Sequence, residues 1–160
     1  MNTNITPEDT IAMQKAFDTF KFATLSKENA NGLAAVFSLI TKLRDPLSGC
    51  QWDKKQTQAT FAPCITEEAK EVVEAVQENN HHHLCEELGD LLFTTFFMIQ
   101  LAESENKFTL QNVLDAVLKK LVFRHPHVFG ATDRTNITPE EAFQLFQEAK
   151  KLEKNRELNS

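Results

Sequence analysis

Residues 66–92 constrain the fold of this chain more than any other stretch of its sequence. Apolar residues recur every three or four positions on both sides of a short polar turn at residues 78–80, which predicts two amphipathic helices. A connection of this length favours antiparallel neighbours. The predicted apolar stripes are Ile65, Ala69, Val72, Val73 and Val76 in the first helix, and Leu84, Leu88, Leu91, Leu92 and Thr95 in the second. The sequence therefore predicts a helical hairpin at the centre of the molecule.

Each helix of this hairpin carries two acids three positions apart: Glu68 and Glu71 before the turn, Glu87 and Asp90 after it. Residues at this spacing share one helix face, so each pair is expected beside its apolar stripe. Position 79 lies midway between the two outer acids and also midway between the two inner ones. In an antiparallel hairpin all four carboxylates are therefore expected at one level of the helix–helix seam.

Four carboxylates beside an apolar seam would repel one another and lose solvation, and a bound cation would relieve both costs. A ligand set made only of oxygen atoms suits a hard ion such as Mg²⁺, with Mn²⁺ as a substitute. The alternative is that these acids only cover solvated helix faces, as Glu67, Glu74 and Glu78 are expected to do. The spacing of the acids leaves both interpretations open.

The composition places this hairpin in one helical domain. The chain has 160 residues, enough for a single core, with 41% hydrophobic and 25% charged residues. Only four Gly and five Pro, with few alternating runs, favour an all-α fold. A net charge of −6 argues against nucleic acid as a partner. Without a signal peptide, a membrane-spanning apolar run or a CxxC pattern, the chain is expected to be cytoplasmic, with no membrane partner.

Start and stop signals divide the rest of the chain. Thr6 and Pro7 predict the start of an N-terminal helix, and residues 29–32 (NANG) predict a break after it. The next helix is expected over residues 33–44 and leads into a loop punctuated by Gly and Pro. Trp52 in that loop is a packing anchor or a ligand contact.

The two hairpin helices are expected to begin near Pro63 and Leu84. The three histidines at residues 81–83 are assigned to the solvated turn between them. Thr138 and Glu141 have the spacing of a capping box, which predicts the start of the last helix.

A further helix, expected over residues 110–123 after the cap Thr109, carries two cations near its end. Lys120 and Arg124 are four positions apart and lie on the same side of that helix. They can complement the negative end of the helix dipole or grip a polyphosphate. Residues 125–130 are expected to leave the helix for a loop.

Four stretches of the sequence occur together in an order that is typical of one family. They are LRDPLSGCQWDKKQT, EEAKEVVEAV, EELGDLLF and KLVFRHPHVFG. These stretches resemble the MazG family of nucleoside triphosphate pyrophosphohydrolases, over about residues 39–154. The resemblance divides the chain into an N-terminal helical extension at residues 1–32 and a MazG-like domain at residues 33–156.

The resemblance implies a fold and an activity. The family hydrolyses nucleoside triphosphates to monophosphate and pyrophosphate on an all-helical, Mg²⁺-dependent, oligomeric scaffold. We therefore expect an all-α, MazG-like helical bundle built around the antiparallel hairpin that bears the acidic site. Its partners would be nucleoside triphosphates and further copies of the chain, in a homodimer or larger homo-oligomer. Clearing non-canonical nucleotides is an expected role for such an enzyme.

The resemblance also implies roles for single residues by their motif positions. The metal ligands would be Glu68, Glu71, Glu87 and Asp90, with Glu68 also the candidate catalytic base. The candidate substrate-binding residues are Lys120 and Arg124, which would contact phosphates, together with Phe146, Lys150 and Trp52. Phe146 stands where the family usually has Trp, and Gln51 where its loop usually has Pro. We expect these departures to alter substrate preference while catalysis survives.

Three other interpretations of the acid hairpin remain at this stage. A narrow-specificity relative, such as an all-helical dUTPase or a phosphoribosyl-ATP pyrophosphohydrolase, would share the four acids. A helical module that binds nucleotide without turnover is an alternative from a different class, and the intact set of acids argues against it. A di-iron carboxylate bundle needs Glu-x-x-His pairs, but the positions three after Glu68 and Glu87 hold Glu71 and Asp90. The sequence therefore argues against the di-iron site.

Overall fold

The computed structural model describes residues 4–21, 26–134 and 136–157 of the chain. The regular structure within these ranges is helical throughout, which confirms the predicted all-α class. The helices are α1 (Pro7–Lys21), α2 (Lys27–Leu43), α3 (Gln58–Gln77), α4 (His81–Ser104), α5 (Leu110–Phe123), α6 (Pro126–Phe129) and α7 (Pro139–Glu157), with a 3₁₀ turn at Asp53–Lys55. No helix in the described ranges is long and apolar enough to cross a membrane.

The chain folds as two compact units. Thr24–Asn112 forms one of them, called the hairpin unit from here on because α3 and α4 dominate it. Met1–Ala23 and Val113–Ser160 form the other, called the terminal unit because it joins the two ends of the sequence.

The hairpin unit owes its regular helix ends to local side chains. Thr57 and Thr60 exchange hydrogen bonds of 2.9 and 3.2 Å in a capping box that starts α3. Asn80 caps α4 by accepting the amide of His83 at 3.2 Å. Asn79, between the two helices, has a positive φ of 53°, a conformation that Asn tolerates better than most residues. The turn of the hairpin is therefore encoded by two adjacent asparagines.

The core of the hairpin unit lies between α2, α3 and α4. Its buried members are Ile40, Phe61, Phe97 and Leu101. The amide of Gln100 also donates to the Thr41 hydroxyl at 2.6 Å, which ties α4 to α2. These contacts give the acid-bearing helices a rigid support.

Capping side chains also start two helices of the terminal unit. Thr6 and Asp9 exchange backbone–side-chain hydrogen bonds of 3.0 and 3.2 Å at the start of α1. Thr138 and Glu141 do the same at 2.8 and 3.2 Å at the start of α7, so the predicted capping box is confirmed. The buried apolar residues of this unit are Met13, Val122, Leu145 and Ala149.

The predicted helix break at residues 29–32 is wrong. Ser26 caps α2 by accepting the amide of Asn29 at 3.3 Å, and the helix runs without interruption from Lys27 to Leu43. Residue 32, where we placed a boundary, therefore lies inside α2. Gly32 costs a helix only about 1 kcal/mol relative to Ala. The Ser26 cap and the burial of Ile40 further along outweigh that cost.

Three other predicted boundaries shift. Helix α3 begins at Gln58, because the Thr57 cap and the burial of Phe61 outweigh the backbone hydrogen bond that Pro63 cannot donate. The three histidines form the first turn of α4 rather than the turn before it. Pro126 starts the short helix α6, so the segment after Arg124 is not a simple loop.

Candidate active site

Helices α3 and α4 run antiparallel on either side of a short turn. The Phe61 ring, near the start of α3, stacks on Phe97 in the second half of α4 with centroids 4.0 Å apart. Beside the turn, the amide of Asn80 donates to the carbonyl of Ala75 at 3.2 Å. Residue 79 is midway between the two stacked phenylalanines, as it is between the paired acids. The hairpin therefore has the centre that the acid spacing predicts.

The face that each hairpin helix buries differs from the predicted apolar stripe. One inward line at seven-residue spacing holds Phe61, Glu68 and Ala75 in α3 and Glu87, Thr94 and Leu101 in α4, and α4 also buries Phe97, Ile99 and Ala102. Of the predicted stripe residues, Ile65, Val72, Leu84 and Leu91 are half-buried, whereas Val73, Val76, Leu88 and Leu92 are exposed. Glu68 and Glu87 thus lie on the buried line itself, whereas we predicted them beside it.

Three of the four predicted carboxylates converge. One side-chain oxygen from each of Glu68, Glu71 and Glu87 lies within 4.8 Å of the others. Asp90 is not part of this trio, although its charge acts on both Glu68 and Glu87. The hairpin therefore brings three acids together and leaves the fourth at the edge of the cluster.

The cluster is electrostatically strained. Burial, followed by repulsion from Glu71 and Asp90, raises the pKa of Glu68 above its ordinary value. Burial and the close Glu71 carboxylate likewise raise the pKa of Glu87, which is only 6% exposed. Like charges and lost solvation thus act in the same direction on both residues.

His83 is a neighbour of this cluster that the sequence analysis did not identify. Its Nε2 lies 3.0 Å from Glu87 Oε1, and its Nδ1 lies 3.2 Å from Glu78 Oε2. The hydrogen bond to Glu78 is the main reason why the pKa of His83 is raised. The available signal was the spacing of four between His83 and Glu87, which places them on one helix face.

The residues of the trio fit a hard divalent cation. Their donor atoms are all carboxylate oxygens, as such ions require. Glu87 Oε2 is buried and has no hydrogen-bond partner within the described part of the chain. A buried anionic oxygen without a donor is costly, and a cation beside it would remove that cost. The carboxylates are therefore suited to metal binding.

In the terminal unit, Arg124 is held from two directions. Its Nε and Nη2 both donate to Glu153 Oε2 at 2.7 Å. These hydrogen bonds connect the residue that follows α5 to helix α7. Its guanidinium carbon lies 5.8 Å from the centroid of the Phe146 ring. His125 packs edge-on against the same ring, with centroids 5.5 Å apart. Two predicted substrate-binding residues, Arg124 and Phe146, are therefore in contact, and Glu153 is a partner that we did not predict.

The other candidate substrate-binding residues are placed as follows. Lys120 lines a cavity of the terminal unit. Lys150 is exposed on α7. In the hairpin unit, Trp52 is 56% exposed while one side of its ring packs against Phe61 at a centroid distance of 6.2 Å. Trp52 therefore anchors its loop and still presents a large aromatic surface.

A second buried carboxylate, Asp9, ties the N-terminal segment to the residues after α6. Arg134 donates to both oxygens of Asp9, at 3.1 and 2.9 Å, and the amides of Thr6 and Thr132 donate to it as well. Arg134 also reaches the carbonyl of Pro126 at 3.3 Å. Burial would raise the pKa of Asp9, but these hydrogen bonds outweigh it and hold the pKa well below its usual range.

The fold and the acid trio define a class of protein. Residues 56–129 match the family model described as the MazG nucleotide pyrophosphohydrolase domain. This range contains α3 to α6 and hence all four acids, Lys120 and Arg124. Residues 56–129 therefore form a domain of the MazG family, the family that the motifs predicted.

Individual relatives carry the same assignment. The chain is 37% identical over 123 residues to the nucleoside triphosphate pyrophosphohydrolase/pyrophosphatase MazG of Thermotoga maritima, covering 77% of this chain and 46% of that protein. It is 42% identical over 106 residues to the nucleoside triphosphate pyrophosphohydrolase of Escherichia coli K12, covering 66% of this chain and 40% of the relative. The chain thus spans less than half the length of these two relatives.

A solved structure has a similar fold. The crystal structure of a MazG-related protein from Thermotoga maritima aligns with a TM-score of 0.61 at 28% identity, over 74% of this chain and 98% of that one. The family model does not reach α1, α2, Trp52 or α7.

Proposed function

We propose that this chain is a hydrolase that converts nucleoside triphosphates to nucleoside monophosphates and pyrophosphate, with Mg²⁺ as its cofactor. The observation that carries the proposal is the convergence of Glu68, Glu71 and Glu87 within 4.8 Å, inside the family-matched residues 56–129. The names of two relatives, both nucleoside triphosphate pyrophosphohydrolases, support the same reaction class. Asp90, whose charge acts on the trio, would complete the ligand set.

The proposed chemistry is hydrolysis of a phosphoanhydride bond. A divalent cation held by the four acids would neutralise phosphate charge and lower the pKa of a bound water. Glu68 is our candidate general base, because it occupies that position of the family motif and its carboxylate lies within 4.8 Å of the other two acids of the trio. Mn²⁺ would substitute for Mg²⁺, since both ions accept carboxylate ligands.

Cations of the terminal unit would bind the substrate's phosphates. Lys120 would act as a point charge, and Arg124 would offer the N–H groups that Glu153 does not occupy. Lys150 and Trp52, both exposed, would make further contacts to the nucleotide. Phe146 would help to position Arg124, whose guanidinium lies over its ring. Removal of non-canonical nucleotides in the cytoplasm is the physiological role we propose.

We also propose that the enzyme works as a homodimer or larger homo-oligomer. The apolar residues Val73, Val76, Leu88 and Leu92 are exposed on the outer side of α3 and α4. An exposed apolar face on a helical hairpin is typical of an interface, and a second copy of the hairpin would present a matching face. Light scattering on the purified protein would test this, and a monomer at micromolar concentration would contradict it.

The experiment that tests the activity is product analysis by anion-exchange chromatography. The protein would be incubated with canonical and damaged nucleoside triphosphates in Mg²⁺ and in EDTA. Monophosphate plus pyrophosphate, lost in EDTA, is the expected result. Diphosphate plus phosphate would overturn the proposed bond cleavage. No turnover of any nucleotide would favour a binding module, and turnover of dUTP or phosphoribosyl-ATP alone would favour a narrow-specificity relative.

A pair of variants links the activity to the acid trio. Glu71→Gln removes one converging oxygen, and we expect turnover to fall by more than about 100-fold with the fold intact. Glu74→Gln is the matched control, because Glu74 is an exposed acid one turn further along α3 and is not part of the trio. Equal activity of the two variants would contradict the assigned role of the trio.

A further inference from the structure

The terminal unit contains a cavity of about 470 Å³ between α1, α5 and α7. Pockets that bind small molecules usually have volumes of roughly 300–1,000 Å³, so this one is large enough for a nucleobase. One of its walls is α1, which lies outside the residues that match the family model. The family match therefore does not account for this cavity.

The lining of the cavity suits a flat heteroaromatic group. Met13, Phe123 and Leu152 contribute apolar surface from α1, α5 and α7 respectively. The polar residues of the lining are Thr10, Gln14, Lys119, Lys120 and Glu153. Gln14 already donates to Asp18 and Glu153 already accepts from Arg124, but the second side-chain oxygen or nitrogen of each can hydrogen-bond to the edge of a base. A pocket that combines apolar walls with polar groups at its edge is typical of a ligand site.

The wall formed by α1 is fixed in place. Asp9, at the start of α1, is fully buried and accepts two hydrogen bonds from Arg134. Gly130 packs so closely that an added Cβ would lie 2.5 Å from Asp9 Oδ1. These contacts hold α1 against the segment that follows Arg124 in sequence. The cavity is therefore bounded by a rigid helix rather than by a loosely attached terminus.

The cavity adjoins the proposed phosphate-binding cations. Lys120 is one of its wall residues, and Glu153, another wall residue, holds Arg124. Phe146, by contrast, does not line the cavity, and its ring is already in contact with Arg124 and His125. A nucleotide whose phosphates bind Lys120 therefore has apolar space for its base in the cavity.

We propose that this cavity is the nucleobase subsite of the enzyme, and that α1 supplies the wall that selects among bases. The inference rests on the proposed function. It assigns to the N-terminal helix a direct role in substrate choice. The residues that would determine specificity are Gln14 and Met13 on α1 and Glu153 on α7.

The test fills the cavity from the α5 side. Ala116 is an exposed residue of the cavity wall, and Ala116→Phe would place a ring inside the cavity. Leu114→Phe is the control, because Leu114 is exposed on the same helix but does not line the cavity. Two quantities would be measured for each protein: kcat/KM for a panel of nucleoside triphosphates, and the inhibition constant of inorganic tripolyphosphate, which has phosphates but no base.

We expect Ala116→Phe to lower kcat/KM at least about 10-fold for the preferred nucleotide and to reduce the differences between bases. The inhibition constant of tripolyphosphate should stay within about twofold of wild type, since the phosphate contacts are untouched. Leu114→Phe should match wild type in both measurements. Unchanged discrimination between bases in Ala116→Phe would overturn the inference, and so would an equal loss of tripolyphosphate binding.

A second variant acts from the α1 side and covers the case in which Ala116→Phe does not fold. Gln14→Leu removes a polar side chain from the wall and keeps its size, and we expect it to change the order of preference among bases. An unaltered order would contradict the inference. If the wild-type protein hydrolyses no nucleoside triphosphate, the proposed function itself fails. If the wild type is active and the variants keep its preference among bases, only the proposed subsite fails.

Discussion

Asp9 in the terminal unit and Glu87 in the hairpin unit are both buried carboxylates, with exposed fractions of 0% and 6%. Asp9 receives four hydrogen bonds, two of them from a guanidinium, and its pKa is lowered. Glu87 has one oxygen without a donor among the described residues and two acidic neighbours, and its pKa is raised. A buried charge that is fully paired is costly to unpair, whereas one that lacks donors is suited to bind a cation.

The largest expected effect comes from Asp9. Asp9→Asn leaves the buried Arg134 without its counter-ion, and we expect a loss of about 3 kcal/mol or more in the free energy of unfolding, measured by urea denaturation at pH 7. Asp18→Asn is the control, because Asp18 is exposed on the same helix. A loss equal to that of the control would mean that the Asp9–Arg134 pair does not contribute to the stability of the fold.

For Glu87 we expect the opposite effect on stability: its replacement should stabilise the metal-free protein at pH 8. A carboxyl whose pKa is raised in the folded state stabilises the protein below its ordinary pKa of 4.5, and this stability is lost as the pH rises through the raised value. Without metal, wild-type protein should therefore melt at a lower temperature at pH 8 than Glu87→Gln, by about 2–4 °C. Added Mg²⁺ should raise the melting temperature of wild type but not that of Glu87→Gln.

This prediction is checked by thermal melting in EDTA and in Mg²⁺ at pH 5.5 and pH 8. Glu86→Gln is the control, since Glu86 is an exposed acid next to Glu87 in sequence and is not part of the trio. If Glu87→Gln melts below wild type in EDTA at pH 8, Glu87 is a structural acid like Asp9 and the contrast between the two units fails.

The smallest effect is expected at the pair between Glu153 and Arg124, whose side chains are 30% and 20% exposed. This pair is intermediate between Asp9, which is fully paired, and Glu87, which has an oxygen without a donor. Both of its side chains are half-buried and are joined by hydrogen bonds of 2.7 Å. Glu153→Gln keeps the shape but weakens the hold on Arg124, so we expect KM to rise about two- to fivefold with little change in kcat. Steady-state kinetics would measure this, with Glu140→Gln, an exposed acid on α7, as the control.

A fall in KM on the same substitution would reverse the interpretation. Glu153 would then compete with the substrate's phosphates for Arg124 instead of orienting it. An unchanged KM would mean that Arg124 finds its position without Glu153.

Much of the hairpin could be predicted because it depends on local spacing. The short connection and the shared midpoint of the acid pairs predicted an antiparallel hairpin centred on Asn79, and the stacked phenylalanines have the same centre. The caps at Thr6, Thr109 and Thr138 were also predictable, since a capping side chain bonds to backbone within the next three residues. The assignment of every candidate to a catalytic or binding role remains a prediction.

The rotation of α3 and α4 about their axes could not be predicted from the count of apolar residues. The side with Val73, Val76, Leu88 and Leu92 faces outward, and the side that carries Glu68 and Glu87 faces inward. The core phenylalanines Phe61 and Phe97 determine this choice, because their stacking with Ile40 and Leu101 buries more apolar surface than small residues can. Hydrophobic periodicity identifies the apolar stripes of a helix, but it does not determine which stripe packs against a neighbouring helix.

The sequence by itself determined the helices, most of their caps, the spacing of the acids and the family. Only the tertiary structure decided that Glu87 is buried with an unpaired oxygen, that Asp9 finds Arg134 125 positions away, and that α1 closes a cavity beside Lys120. Local patterns act through backbone geometry and neighbours a few residues apart, so they can be read along the chain. Burial and long-range pairing depend on which distant surfaces meet, and that is decided by the packing of the whole unit.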